Sequence, residues 1–142
     1  MLERFQLYYA PAVGAELREE FPSGREFWRL ARDGVLIEAV AHSEQVRTFG
    51  NGERAAINLA LEHRDWVLLI DDRRPFLEGE RLGLKVLCTP VLVVDLHGDG
   101  RLSAPQALQA LARLATMGTV SPVLLEAALA HLGAAGKGQR GQ

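Results

Sequence analysis

The sequence predicts an α/β fold, a mainly parallel sheet flanked by helices. Three observations lead there. Short apolar runs alternate along the chain with longer segments whose apolar residues recur at helical spacing. Glycine, proline and polar clusters punctuate nearly every change from one to the other. The run Trp66–Ile70 is continuously apolar, as expected of a strand covered on both faces. Alternating strands and helices favour parallel pairing, because each helix carries the chain back to the same end of the sheet.

The elements follow in order. Phe5–Tyr9 is apolar and aromatic-rich and reads as a strand. Pro11 suits the first turn of a helix whose apolar side carries Val13, Leu17 and Phe21. Pro22-Ser23-Gly24 breaks that helix, and Ser23 is placed to cap a second one through Arg32. Gly34 ends it, and Val35–Val40 is the second strand. His42–Asn51 is a polar loop before a helix over Gly52–His63. Trp66–Ile70 is the third strand, Arg73–Arg81 a short helix stopped by Gly83, and Lys85–Cys88 the fourth strand. Thr89 reads as an N-cap with Pro90 first in a helix reaching His97. Gly98-Asp99-Gly100 turns the chain into helices over Ala104–Thr116 and Pro122–Leu132, the latter capped by Ser121. No strand separates these two, so Leu108, Leu111, Leu114, Leu124, Leu125 and Leu129 are expected to be buried by mutual packing or against the sheet. Residues 1–133 form a single domain in this reading. The Gly/Ala/Gln-rich stretch 134–142 is a flexible tail.

Composition narrows the function classes. A chain of 142 residues, 48% hydrophobic and 24% charged, suits one compact domain. A net charge of −2 gives no global positive field, so any nucleic-acid contact must be local. Cys88 is the sole cysteine, which rules out an internal disulfide and a cysteine-rich zinc site. Its apolar neighbours mark it as a buried residue, not a nucleophile. No signal peptide or membrane-spanning apolar run is visible, and a cytoplasmic location is expected.

The chemistry-bearing residues are carboxylates. Asp71 and Asp72 stand at the carboxyl end of the third strand, where parallel sheets gather ligand chemistry. Glu53 heads the preceding helix, and Glu16 lies in the helix after the first strand. Clustered acids attract a hard divalent ion such as Mg²⁺ or Mn²⁺. Two such ions can activate water and stabilise a leaving oxygen in phosphodiester cleavage. A structural reading stands beside this one. Glu53 suits a helix N-terminus without any metal. Asp72 can cap the helix starting at Arg73, and Arg73 or Arg74 can pair with either aspartate. "DLHGDGRL", Asp95–Leu102, matches part of a calcium loop, but His97, Pro105 and Gln106 break the pattern, so it reads as a helix-ending turn. The four histidines, His42, His63, His97 and His131, show no metal-ligand spacing.

Four stretches together resemble the PIN-domain family, in its short prokaryotic branch related to toxin–antitoxin ribonucleases. They are "YYAPAVGAELREEF", "GNGERAAINLALEH", "VLLIDDRRPFLEGERLGLKVLCTP" and "MGTVSPVLLEAALAHLG". The resemblance implies a PIN-like three-layer α/β/α arrangement and a Mg- or Mn-dependent endoribonuclease acting on single-stranded RNA. It implies Glu16, Glu53 and Asp72 as catalytic and metal-holding acids, with Asp71 a further metal ligand if the register shifts by one. An antitoxin-like protein partner is implied as well. The family's first strand and its aspartate have no counterpart, since no residue in Met1–Tyr9 is an Asp. The metal site is therefore expected to be incomplete, the metal weakly bound and cleavage impaired. The open strand flank favours a homo-oligomer. The alternative function is a non-catalytic PIN-like module that binds RNA or protein, or dimerises.

Overall fold

The structure, a computed structural model, describes residues 6–118 and 120–140, with side chains as far as Gly133 in the last helix. It divides into two compact units, Met1–Leu68 with Gly79–Lys85, and Leu69–Glu78 with Val86–Gln142.

The first unit opens with β1 (Leu7–Tyr9), α1 (Pro11–Glu16), α2 (Pro22–Arg32), β2 (Leu36–Glu38) and α3 (Asn51–Glu62). β1 and β2 are parallel, with Leu7 opposite Leu36 and Tyr9 opposite Glu38. A parallel pair needs a long crossover, which α1 and α2 supply. Pro11 and Pro22 each stand in the first turn of their helix, where a missing N–H costs nothing. Because Pro22 itself begins α2, the N-cap position falls on Phe21 and no side chain caps it; Ser23 is already inside the helix. Phe21 is 56% exposed, since α1 stops at Glu16 and has no face there to bury it.

Rings hold this crossover together. Tyr9, Phe27 and Trp28 meet edge to face, with centroids 4.9–6.1 Å apart. The Trp28 indole donates to the Leu17 carbonyl at 2.6 Å. α1 packs on α3, whose Ile57 is fully buried, a contribution of about 1.5–3 kcal/mol. Asn58 is buried too. Its amide donates to the Val46 carbonyl at 2.9 Å and its oxygen accepts the Val46 N–H at 2.8 Å, tying the long loop to α3.

β3 (Val67–Leu69), α4 (Arg73–Arg81) and β4 (Lys85–Leu87) follow. β3 pairs with β4, and the Ile70 N–H donates to the Leu87 carbonyl at 2.9 Å. The expected strands are all present, but as two separate pairs rather than one sheet, and no described strand joins them. β3 also departs from the expectation of cover on both faces. Leu68 and Ile70 are buried, whereas Val67 and Leu69 are 55% and 48% exposed. Alternate strand residues face opposite ways, so an unbroken apolar run does not by itself mean two covered faces.

The second unit is built on α5 (Thr89–Gly98), α6 (Ala104–Met117) and α7 (Pro122–Arg140), which pack against one another. Ser103 and Gln106 form a reciprocal capping box at the head of α6. Val93, Ala107, Leu111, Val120, Leu125 and Ala128 make the core. Leu111 and Leu125 are buried as expected, and Leu114 and Leu124 pack partly buried against this core. Leu108 and Leu129 are 49% and 44% exposed instead. With Ala107 and Leu111 four residues apart on the inward face of α6, Leu108 is turned about 100° away from Ala107.

Candidate active site

In the first unit the chain brings Glu16 to the head of α3. Glu16 is the last residue of α1 and its side chain is exposed. Its Oε1 accepts the Gly52 N–H at 3.0 Å, a contact between residues 36 positions apart. Gly52 is in the first turn of α3, whose amides have no partner inside the helix. A carboxylate there is also favoured by the helix dipole. The approach needs glycine, since a Cβ at position 52 would stand 2.6 Å from Glu16 Oε2. Glu53, half-buried, is the next residue along α3.

The loop leading to α3 is tied at several points. The Glu62 carboxylate accepts the His42 N–H at 2.7 and 2.9 Å and the Ser43 N–H at 3.2 Å. Those bonds, that from His42 foremost, hold its pKa below the usual carboxylate value. Arg54 pairs with Glu44 at 3.2 Å and donates to Asn51 Oδ1 at 2.7 Å. Phe49, just before α3, has φ 74°. A bulky side chain at positive φ is strained, and such strain persists where surrounding structure over-determines it.

In the second unit the two aspartates have different surroundings. Asp71 is half-buried and engages Thr89 twice. Oδ1 accepts the Thr89 N–H at 2.6 Å and Oδ2 the Thr89 hydroxyl at 2.7 Å. Thr89 is thus a partner of Asp71 and not the N-cap of α5; that position belongs to Cys88. Asp72 is exposed, and its carbonyl accepts the Phe76 N–H at 3.0 Å, as a residue heading α4 does. Neither Arg73 nor Arg74 forms an ion pair with these aspartates among the described residues.

The four expected acids therefore fall into two sets, Glu16 with Glu53 at the head of α3, and Asp71 with Asp72 at the head of α4. Among the described residues no group of three or more His, Cys, Asp or Glu side chains gathers to hold a metal ion. Mg²⁺ keeps several of its waters and needs only one or two carboxylates beside substrate phosphate oxygens, so a pair of acids at one helix head is of the type that could hold it.

The remaining candidates have structural roles. Cys88 is 1% exposed and burial pushes its thiol pKa up, which suits an inert residue. His63 stacks on Trp66 at 3.8 Å, and Trp66 on Tyr8 at 4.2 Å. His97 Nδ1 lies 2.9 Å from the Leu102 carbonyl. The Asp99 N–H donates to the Asp95 carbonyl, and Gly100 has φ 76°, so this stretch is a helix-ending turn. Arg54 is the polar residue that the sequence did not single out, and Thr89 was read there only as a cap for its own helix, not as a partner of Asp71.

A family model described as a PIN domain matches residues 4–134. No curated protein and no solved structure matches the chain.

Proposed function

Because the chain belongs to the PIN-domain family, a family of nuclease type whose members generally bind divalent metals and commonly bind RNA, we propose that it is an endoribonuclease of toxin–antitoxin type that cleaves single-stranded RNA. Residues 1–133 would be its single domain and the cytoplasm its setting; α7 runs on to Arg140, into the stretch the sequence led us to expect as a tail. Among the described residues no helix is long and apolar enough to cross a membrane. Glu16, Glu53 and Asp72 are the acids assigned to catalysis, with Mg²⁺ or Mn²⁺ weakly held.

The observation that supports the assignment is the Glu16–Gly52 contact. An exposed carboxylate is fixed by a backbone amide at the head of the helix that also carries Glu53. Fixing an anionic side chain in advance lowers the cost of orienting water or a ribose hydroxyl beside it. Asp72 is the better choice of the two aspartates, because both oxygens of Asp71 are taken by Thr89. Asp71 then serves to hold the end of β3 to the head of α5. When bound, the divalent ion would supply charge stabilisation for the phosphodiester.

The second reading is a PIN-like module that binds RNA or a protein such as an antitoxin, or self-associates, without cleaving. The exposed Val67 and Leu69 on β3 favour it. One experiment separates the readings. Single-stranded RNA is incubated with the protein in Mn²⁺ or in chelator. The nuclease reading expects slow, Mn²⁺-dependent cleavage that Asp72→Asn abolishes. RNA bound but uncut in Mn²⁺ would sink it and leave the binding module.

A further inference from the structure

β1 and β2 run parallel, so their carboxyl ends lie on one side, followed by Ala10 and by Val40 with the loop beyond. An open groove of about 490 Å³ lies there, within the first unit. That size is in the range of small-molecule sites, and the carboxyl edge of parallel strands is where α/β proteins receive them. Ala10, Pro11, Ala12, Val40 and Ala55 give it small apolar walls. Its polar lining is His42, Ser43, Glu44, Asn51, Arg54 and Asn58, Glu44 being the one carboxylate among them.

Arg54 is held in place. Its Nε faces Glu44 and its Nη2 donates to Asn51 Oδ1. A guanidinium has five N–H donors, and these contacts commit only two of them. Asn51 gives its oxygen to Arg54, which leaves its amide NH₂ as a donor. Asn58, also in the lining, spends both ends on Val46 and makes that wall rigid. The groove thus offers a guanidinium positioned by Glu44 and Asn51, with N–H donors left over, beside small apolar walls. An acceptor-rich ligand with one planar apolar part matches that chemistry.

We infer that this groove is a subsite for one ribonucleotide unit of single-stranded RNA, with the phosphate on Arg54 and Asn51 and the base between the walls of Pro11, Ala12 and Val40. The inference rests on the RNA reading above and deepens it. Binding at the groove needs no metal and no cleavage, so it can be tested apart from them.

The test is calorimetric titration of the whole protein with 5′-AMP in EDTA at low salt. Saturable binding of one equivalent is expected. Arg54→Gln should weaken it about ten-fold or more, the usual effect of removing a charged hydrogen-bonding partner. Ala12→Leu leaves Arg54 untouched but fills the groove, and should abolish binding. Circular dichroism and thermal melting check that both variants stay folded. If the wild type shows no saturable AMP binding, or if both folded variants bind AMP as the wild type does, the subsite is wrong. Loss of Mn²⁺-dependent cleavage as an activity, with AMP binding intact and sensitive to both variants, would overturn the nuclease reading and leave this one standing.

Discussion

Alanine at Gly24 should destabilise the protein and alanine at Gly52 should barely change it, although each Cβ meets an occupied space. At Gly24, in the first turn of α2, the added carbon would stand 2.5 Å from the Arg18 carbonyl carbon and closer still to its oxygen. Ordinary carbon–carbon contact is about 3.5–4.0 Å, so the backbone must open by about 1 Å. That backbone is not free to move, because the same carbonyl accepts the Phe21 N–H at 3.2 Å in the turn between α1 and α2. Overpacking of this kind costs about 1–3 kcal/mol and sometimes more. The helix-propensity gain of alanine over glycine recovers at most about 1 kcal/mol. A contact this short against backbone belongs at the upper end of that range, so a net loss of about 2 kcal/mol is expected. With a urea slope of about 1–3 kcal/mol per M, the midpoint should fall by about 1 M. At Gly52 the obstacle is the end of the Glu16 side chain, 2.6 Å away, and that exposed carboxylate can swing into solvent. One exposed charge-assisted hydrogen bond is lost, worth about 1 kcal/mol, against a similar propensity gain. The midpoint of Gly52→Ala should stay within about 0.5 M of the parent. Urea titrations followed by far-UV circular dichroism decide both. A Gly24→Ala protein as stable as its parent would refute the packing argument. A Gly52→Ala protein that loses as much as Gly24→Ala would show that the Glu16 carboxylate cannot move aside for the added carbon.

Leu111→Ala should cost about 2–5 kcal/mol, because the side chain is 1% exposed inside the α5–α7 core, while Leu108→Ala, at 49% exposure, should stay within about 0.5 kcal/mol; equal midpoints for the two would place the core elsewhere. Glu62 predicts a pH dependence. Its pKa is depressed in the folded state by the His42 and Ser43 amides, so its contribution is present above the ordinary carboxylate pKa and disappears as pH falls through the lowered value. The difference in melting temperature between the parent and Glu62→Gln should be constant near neutrality and vanish in acid, and a gap that persists into strong acid would contradict this.

Much of the fold was legible because it depends on neighbours in the chain. Pro11 and Pro22 start helices through their fixed φ, and Gly34, Gly83, Gly100 and Gly118 end them or turn the chain at positive φ. Apolar runs placed all four strands within one or two residues. The family motifs are likewise local strings, and the match over residues 4–134 bears out the family they resemble. The acids could be named from those strings, but not their surroundings. Glu16 reaches Gly52 across 36 residues and Asp71 reaches Thr89 across 18, and no local pattern encodes either contact. Thr89 before a proline looks the same in sequence whether it caps its own helix or serves an aspartate from another element. Periodicity likewise marks a helix's apolar side without stating how wide a neighbour will cover it, which is why Leu111 is buried and Leu108 is not. Local conformational preference is a property of a few consecutive residues and is written in them. Which carboxylate is held, which leucine is covered and which glycine is indispensable depend on what packing brings from far along the chain, and only the tertiary structure decided them.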